Sequence, residues 1–243
     1  MGKYIRRFFF SVTIILVFAV ICQMAQNRVR HHSGYRESSG NSVRQDAGSD
    51  YDKNTNTGEK KKIALTFDDG PDGECTPQLL DGLAQRGVKA TFFVIGKAAE
   101  EYPQIMQRIV KEGHLIGNHT YNHVDIKHMT PTAAQEEIQK ANQVIEKYTG
   151  EEPCFMRPPF GSGSTTLEKQ LEMIQVLWTI DTMDWSCQNE ASICNTVYRE
   201  VEENSIILMH DEYPTSVRAA LSIIDGLQEK GYEFVTVDEI LMD

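Results

Sequence analysis

From Ile63 onward, short apolar runs alternate with amphipathic stretches. The runs Ile63–Phe67, Thr91–Ile95, Leu115–Asn118, Cys154–Arg157, Ile174–Ile180, Ser205–Met209 and Phe234–Val237 have strand length and few polar interruptions. Helical spacing fills the gaps at Pro77–Arg86, Ala98–Lys111, Pro131–Tyr148, Thr166–Met173, Glu190–Glu203 and Ser216–Lys230. Thr165-x-x-Glu168 has the form of a capping box, and Gly87, Gly113, Gly150 and Gly231 stand where helices should stop. Apolar strands separated by helices describe a parallel sheet with helices over it. Seven such units allow a small barrel, closed or incomplete, or an open doubly wound sheet. No G-x-G-x-x-G follows the first run, so a dinucleotide fold has no support.

The polar residues decide between these architectures. Asp68-Asp69-Gly70-Pro71 ends the first run, His119-Thr120-Tyr121-Asn122-His123 the third, and Arg157-Pro158-Pro159-Phe160-Gly161 the fourth. Asp181-Thr182-Met183-Asp184-Trp185 ends the fifth and His210-Asp211 the sixth. Ionisable groups at the C-terminal ends of five strands are the barrel arrangement, in which the loops of that rim build the site. The expected fold is therefore α/β, a distorted (β/α) barrel of about seven parallel strands.

Ahead of this body the pattern changes. Phe8–Cys22 is apolar except for Ser11 and Thr13 and follows Lys3, Arg6 and Arg7. Extended to Ala25 it makes about 27 Å of helix, close to the bilayer core of about 30 Å. A cleaved signal peptide has the same outline, but with Ala25 at −1 the −3 position is Gln23, not a small residue. Residues 1–25 are thus expected to be a cytoplasmic stub and single-pass membrane anchor, with the rest of the chain extracytoplasmic. Secretion after cleavage is the alternative. Residues 26–61 hold only Val29, Tyr35, Val43, Ala47 and Tyr51 as apolar side chains and are expected to be a disordered linker. Such a linker spans roughly 30–35 Å r.m.s. and about 120 Å at full extension. His31-His32 within it reads as solvated. The domain proper is 62–243.

Charge sharpens the division. The 243 residues carry −11 overall, but residues 1–62 hold 11 Lys/Arg against 5 Asp/Glu, leaving 13 against 30 for residues 63–243. A body at −17 disfavours nucleic acid and fits a neutral or only locally charged substrate. Cys75, Cys154, Cys187 and Cys194 lie outside the apolar run. Cys187 and Cys194 are close enough for a short disulfide loop, and no C-x-x-C suggests a thiolate metal site. Nothing in the pattern calls for a protein partner.

Asp68-Asp69-Gly70 alone is also what an ordinary turn looks like. His119 and His123, four apart, would share one side of a helical turn. One carboxylate with two histidines makes a three-ligand set with positions left open, the form of a catalytic metal site. The remaining carboxylate could take a proton from water, and His210 could protonate a leaving group if Asp184 or Asp211 kept it charged. Arg157 could orient Asp68, and Trp185 could supply an apolar wall. His114 and His128 have no such company and read as structural.

Thr66–Pro71, His119–His123, Arg157–Gly161, Asp184-Trp185 and Leu208–His210 resemble, in order and spacing, the five motifs of the polysaccharide deacetylase family (carbohydrate esterase family 4, the NodB homology domain). The resemblance covers roughly Lys62 to Asp243. It implies that Asp68 is the general base, and that Asp69, His119 and His123 hold a divalent metal, usually Zn2+, with Co2+, Ni2+ or Mn2+ as alternatives. It further implies that Arg157 positions Asp68, that Asp184 tunes His210 as general acid, and that a backbone N–H near Phe160 stabilises an oxyanion. Pro159, Phe160, Trp185 and Leu208 would line the substrate, the last two receiving an acetyl methyl. The family often has tyrosine where Phe160 stands, so a hydroxyl contact to sugar is lost. Asp181, three residues before Asp184, leaves open which aspartate meets His210. The implied activity is removal of N-acetyl groups from GlcNAc in a polysaccharide, and the anchor points to peptidoglycan. Chitin oligomers, poly-GlcNAc and acetylated xylan are the alternative substrates, and an inactive wall-binding module is the alternative to an enzyme.

Overall fold

The structure, a computed structural model, describes residues 60–163 and 173–242. The N-terminal apolar run, the linker up to Glu59, and the Thr165-x-x-Glu168 pattern with the helix expected after it, up to Glu172, lie outside those residues. No helix among the described residues is long and apolar enough to cross a membrane.

The strands are β1 (Lys61–Asp68), β2 (Thr91–Val94), β3 (Leu115–Asn118), β4 (Phe155–Met156), β5 (Ile174–Gln175), β6 (Ile180–Asp181), β7 (Ile206–His210) and β8 (Tyr232–Val235). The α-helices among the described residues are α1 (Cys75–Arg86), α2 (Gly96–Glu101), α3 (Pro103–Lys111), α4 (Pro131–Thr149), α5 (Asp184–Cys187), α6 (Glu190–Glu200), α7 (Pro214–Glu229) and α8 (Val237–Met242). Every strand pair is parallel, and seven strands run in the order β5-β4-β3-β2-β1-β7-β6. β8 pairs with the first half of β1, Lys61–Ala64, below the stretch that β2 takes up.

That order forces curvature. β5 and β6 are the two edges of the seven-strand path, yet Gln175 and Ile180 are five residues apart. Laid flat, seven strands would hold those edges about 29 Å apart, whereas five residues reach at most about 18 Å. The sheet therefore curls until residues 176–179 bridge its open side. The expected distorted barrel is what results, with a seam in place of full closure.

Alternation along the strands separates two interiors. Ile63, Leu65 and Phe67 of β1, Phe92 and Val94 of β2, and Ile207 and Met209 of β7 face outward into the larger apolar cluster beneath α1, α3, α6 and α7. Ala64, Phe93, Phe155, Ile174, Val176 and Ile206 face inward and form a smaller cluster, against which Val237, Ile240 and Leu241 of α8 pack. The inward parity of β1 continues through Thr66 to Asp68, and that of β7 through Leu208 to His210, with Thr66 opposite Leu208 and Asp68 opposite His210. One side of the barrel wall thus runs from apolar packing into ionisable groups.

Several expectations are corrected. Ile174–Ile180 is two short strands on opposite edges, because the chain must cross the seam there. The stretch Ala98–Lys111 is broken at Tyr102 (φ −119°, ψ 61°), since Pro103 disfavours helical geometry in the residue before it. The last strand is Tyr232–Val235 rather than Phe234–Val237. Glu239 accepts from the backbone N–H and the hydroxyl of Thr236, and Val237 begins α8, a Thr-x-x-Glu start that the apolar run concealed. Lys61 belongs to β1, one residue before the expected domain boundary. Cys75, Cys187 and Cys194 are free, so the short Cys187–Cys194 loop does not form. The expected stops at Gly87 and Gly150 hold: both cap their helices in the left-handed region, at φ 62° and 80°.

Arg157 follows β4 and is wholly buried inside the barrel. Its Nη1 donates to Asp68 Oδ1 (2.7 Å) and Thr66 Oγ1 (2.8 Å), its Nε to the Val176 carbonyl (2.9 Å) and its Nη2 to the Leu177 carbonyl (3.3 Å). The guanidinium lies over Phe93, 4.3 Å from the ring centroid. Removing it strands a buried carboxylate, which costs about 3–5 kcal/mol in such pairs. Arg157→Ala is expected to lose stability of that order in urea unfolding, with Arg157→Lys intermediate because lysine cannot bond several acceptors in one plane.

Candidate active site

The inward-facing strand ends and their loops enclose a cavity of about 400 Å3, lined by Asp68, Asp69, His119, His123, Phe160, Trp178, Asp181, Trp185, Leu208, His210 and Tyr213 among others. Several corners of it are residues in the left-handed region: Asp69 (φ 75°), His123 (φ 54°) and Phe160 (φ 61°), with Thr120 (φ 63°) and Met183 (φ 54°) beside them. Non-glycine residues hold such angles only where their surroundings over-determine them, and they concentrate at sites of function. His119 and His123 are therefore not on a helical turn. A strained loop brings their rings together, with centroids 5.1 Å apart.

Asp69 Oδ1 lies 3.3 Å from His119 Nε2 and 3.2 Å from His123 Nε2. His119 Nδ1 is 2.6 Å from the Arg157 carbonyl, which can only accept, so Nδ1 carries a proton and the neutral ring would present its lone pair at Nε2. Burial lowers the His123 pKa below the ordinary value. Burial pushes the Asp69 carboxyl upward, but His119, His123 and His210 outweigh it and leave the pKa below the usual carboxylate value. Asp69 Oδ1 is thus a buried anionic oxygen that accepts no hydrogen bond, facing two imidazole nitrogens at close range. The three donor atoms lie within 4.8 Å of one another. A carboxylate oxygen and two imidazole nitrogens converging at this range fit a divalent cation, which all three could ligate at once.

Two further groups flank this set. The Asp68 carboxylate, tied to Arg157 through Oδ1, holds Oδ2 3.8 Å from His119 Nε2. Across the cavity, His210 Nδ1 bonds Asp184 Oδ1 (2.8 Å), and the His210 backbone N–H donates to Asp184 Oδ2 (2.8 Å). The open question about aspartates closes here. Asp184 is the partner of His210, whereas Asp181 Oδ1 accepts the Met183 backbone N–H (2.9 Å) and so turns the loop that aims Asp184 inward. Asp211 is fully buried and accepts from Thr76 instead, with its pKa pushed up to about 7 by burial. Burial alone would lower the His210 pKa, but the Asp184 hydrogen bond and charge, with Asp68 and Asp69 behind them, raise it to about 9.

Leu208 is buried on the inward face of β7, Pro159 is buried below Phe160, and Trp185 and Phe160 stand half and two-thirds exposed on the rim. The Phe160 ring meets His123 edge-on at 4.8 Å. Asp68, Asp69, His119, His123, Phe160, Trp185, Leu208 and His210 line this cavity, and Arg157 and Asp184 bond to Asp68 and His210 behind it. The sequence reading missed Thr66, which shares Arg157 with Asp68 and was legible from its i, i+2 position. It missed Asn118, whose Oδ1 accepts from Thr120 and whose Nδ2 donates to the Ile138 carbonyl of α4. Trp178 and Tyr213 carried no sequence signal beyond their type.

Residues 55–176 match the family profile described as polysaccharide deacetylase. The chain belongs to the polysaccharide deacetylase family. Among curated members, a peptidoglycan-N-acetylglucosamine deacetylase of Bacillus cereus is 41% identical over 188 residues, covering 73% of this chain and 67% of that protein. The peptidoglycan-N-acetylmuramic acid deacetylase PdaC of Bacillus subtilis is 39% identical over 181 residues, 74% of this chain but only 39% of that one. The solved structure of that deacetylase superposes with a TM-score of 0.72 at 39% identity, covering 74% of this chain and 90% of the solved one. The chain therefore spans about two-fifths of the length of one curated relative and two-thirds of the other.

In the metal-free protein the imidazole of His210 should titrate near 9 by NMR, and Asp184→Asn should bring it down towards the ordinary 6.5. Because the folded-state pKa is raised, the stability from this pair is complete below about 6.5 and is lost as pH rises through about 9. A His210 pKa that stays put in Asp184→Asn would assign the shift to other groups.

Proposed function

We propose that this deacetylase family member hydrolyses the N-acetyl group of GlcNAc residues in a cell-wall polysaccharide, peptidoglycan first, releasing acetate and leaving a free amine on the sugar. The observation that carries the reading is the unpartnered buried Asp69 Oδ1 between two imidazole nitrogens, with the Asp68 carboxylate on one side and His210 bonded to Asp184 on the other. Asp69, His119 and His123 would hold the metal, with Zn2+ as the expected ion. A divalent cation there supplies positive charge that acidifies water and polarises a carbonyl.

The remaining chemistry belongs to the side chains. Asp68, aimed by Arg157, takes a proton from the attacking water. As the C–N bond breaks, His210 Nε2 gives its proton to the departing nitrogen, and the nearby Asp184 carboxylate keeps that proton available at neutral pH. The Phe160 backbone N–H serves the developing oxyanion. Leu208 and Trp185 take the acetyl methyl, and Pro159 and Phe160 shape the sugar side of the opening.

Charge favours one sugar over the other. Among the described residues the cavity lining includes Asp68, Asp69 and Asp181 and no lysine or arginine. The carboxylate that distinguishes N-acetylmuramic acid from GlcNAc would meet Asp181 on that lining with no described lysine or arginine beside it. We place the domain outside the cell membrane, held there by residues 1–25 and a linker over 26–61.

The test is acetate release by the zinc-loaded full chain, in mild detergent, from peptidoglycan and from chitin pentamer side by side, with the deacetylated sugar identified after digestion. Release with glucosamine as the product sugar is expected, and muramic acid as product would overturn the choice of sugar. His210→Ala should lower kcat by about 10²–10⁴-fold. Asp69→Ala should lose bound zinc and activity together, and full activity in Asp69→Ala would sink the metal reading.

A further inference from the structure

After β2 ends at Val94, the chain turns at Ile95 into α2, whose first residues are Gly96 and Lys97. Backbone N–H groups at the start of a helix have no partner within it. Here they reach two other loops. Ile95 donates to the Gly70 carbonyl (3.0 Å), Gly96 to the Thr120 carbonyl (2.9 Å) and Lys97 to the Tyr121 carbonyl (3.0 Å). Gly70 follows Asp69, and Thr120 and Tyr121 lie between His119 and His123. One turn therefore grips the carboxylate loop with one N–H and the histidine loop with the next two. Both gripped loops pass through left-handed residues, Asp69, Thr120 and His123, which need external support to stay so.

The turn itself sits hard against α4. An ideal Cβ on Gly96 would lie 2.8 Å from Tyr121 Cδ2, 3.0 Å from Ala141 Cα and 3.1 Å from Ala141 Cβ. The tyrosine ring has some freedom to move, but the α4 backbone does not yield as a side-chain tip does. A side chain at 96 would lift the turn away from α4 and disturb the carbonyls it holds.

We propose that the Ile95–Lys97 turn is a clamp that sets the spacing of Asp69 against His119 and His123, with Gly96 as its positioning residue, an inference that rests on the metal-site reading above. Backbone groups carry the effect: no side chain of the turn is among the three donors.

The experiment measures Zn2+ affinity of the full chain by chelator competition, and the visible spectrum of its Co2+ form, in wild type, Gly96→Ala, Lys97→Pro and Lys97→Ala. Lys97→Pro deletes one clamp N–H near a helix start, where proline is accepted, and the Lys97 side chain is exposed. Lys97→Ala keeps the N–H. Outer supports of this kind are worth about 10–100-fold in metal affinity, so Gly96→Ala and Lys97→Pro should bind zinc at least about tenfold more weakly, with an altered Co2+ spectrum. Lys97→Ala should match wild type. If Gly96→Ala does not fold, Lys97→Pro decides. Wild-type affinity in the clamp variants, or equal weakening in Lys97→Ala, overturns the clamp alone. A wild-type chain that binds no zinc overturns the clamp and the metal site together.

Discussion

The pairing of Arg157 with Asp68 is the contact on which the rest of this structure turns. A guanidinium with no exposure to water is costly unless every direction of its fork is met. Here one plane serves a carboxylate and a hydroxyl on β1 and two carbonyls of the segment that bridges the seam. The cation thus fastens the first strand to the stretch that closes the sheet. Its own backbone carbonyl does a second task by accepting a hydrogen bond from His119 Nδ1–H, so the same residue orients a carboxylate and an imidazole.

Much of this was legible because strand parity carries information into the site. Ala64, Thr66 and Asp68 alternate with Ile63, Leu65 and Phe67, and the inward set becomes polar only at the strand end. Apolar spacing therefore indicated both the barrel and the rim where its chemistry lies. The five polar segments converge because parallel strands deliver their C-terminal ends to one rim.

What was not legible depended on tertiary geometry. The run Ile174–Ile180 has the composition of one strand, and only the closure of the sheet requires its middle to leave the ladder. His119 and His123 have helical spacing, yet their loop takes left-handed angles that no residue type there advertises. Asp181 and Asp184 are indistinguishable by type and lie three apart. The Met183 turn assigns one to the backbone and the other to His210.

The seam has a consequence for the solubility of the chain. A closed barrel has no free strand edges, but a sheet with a gap exposes two, and unpaired edges recruit strands from other molecules. In this protein both edges of the seam, β5 and β6, are only two residues long, and the chain between them passes at once into irregular backbone. Each edge is too short to template a neighbouring strand. The break in the barrel that admits Arg157's carbonyl partners is thereby guarded against edge-to-edge association.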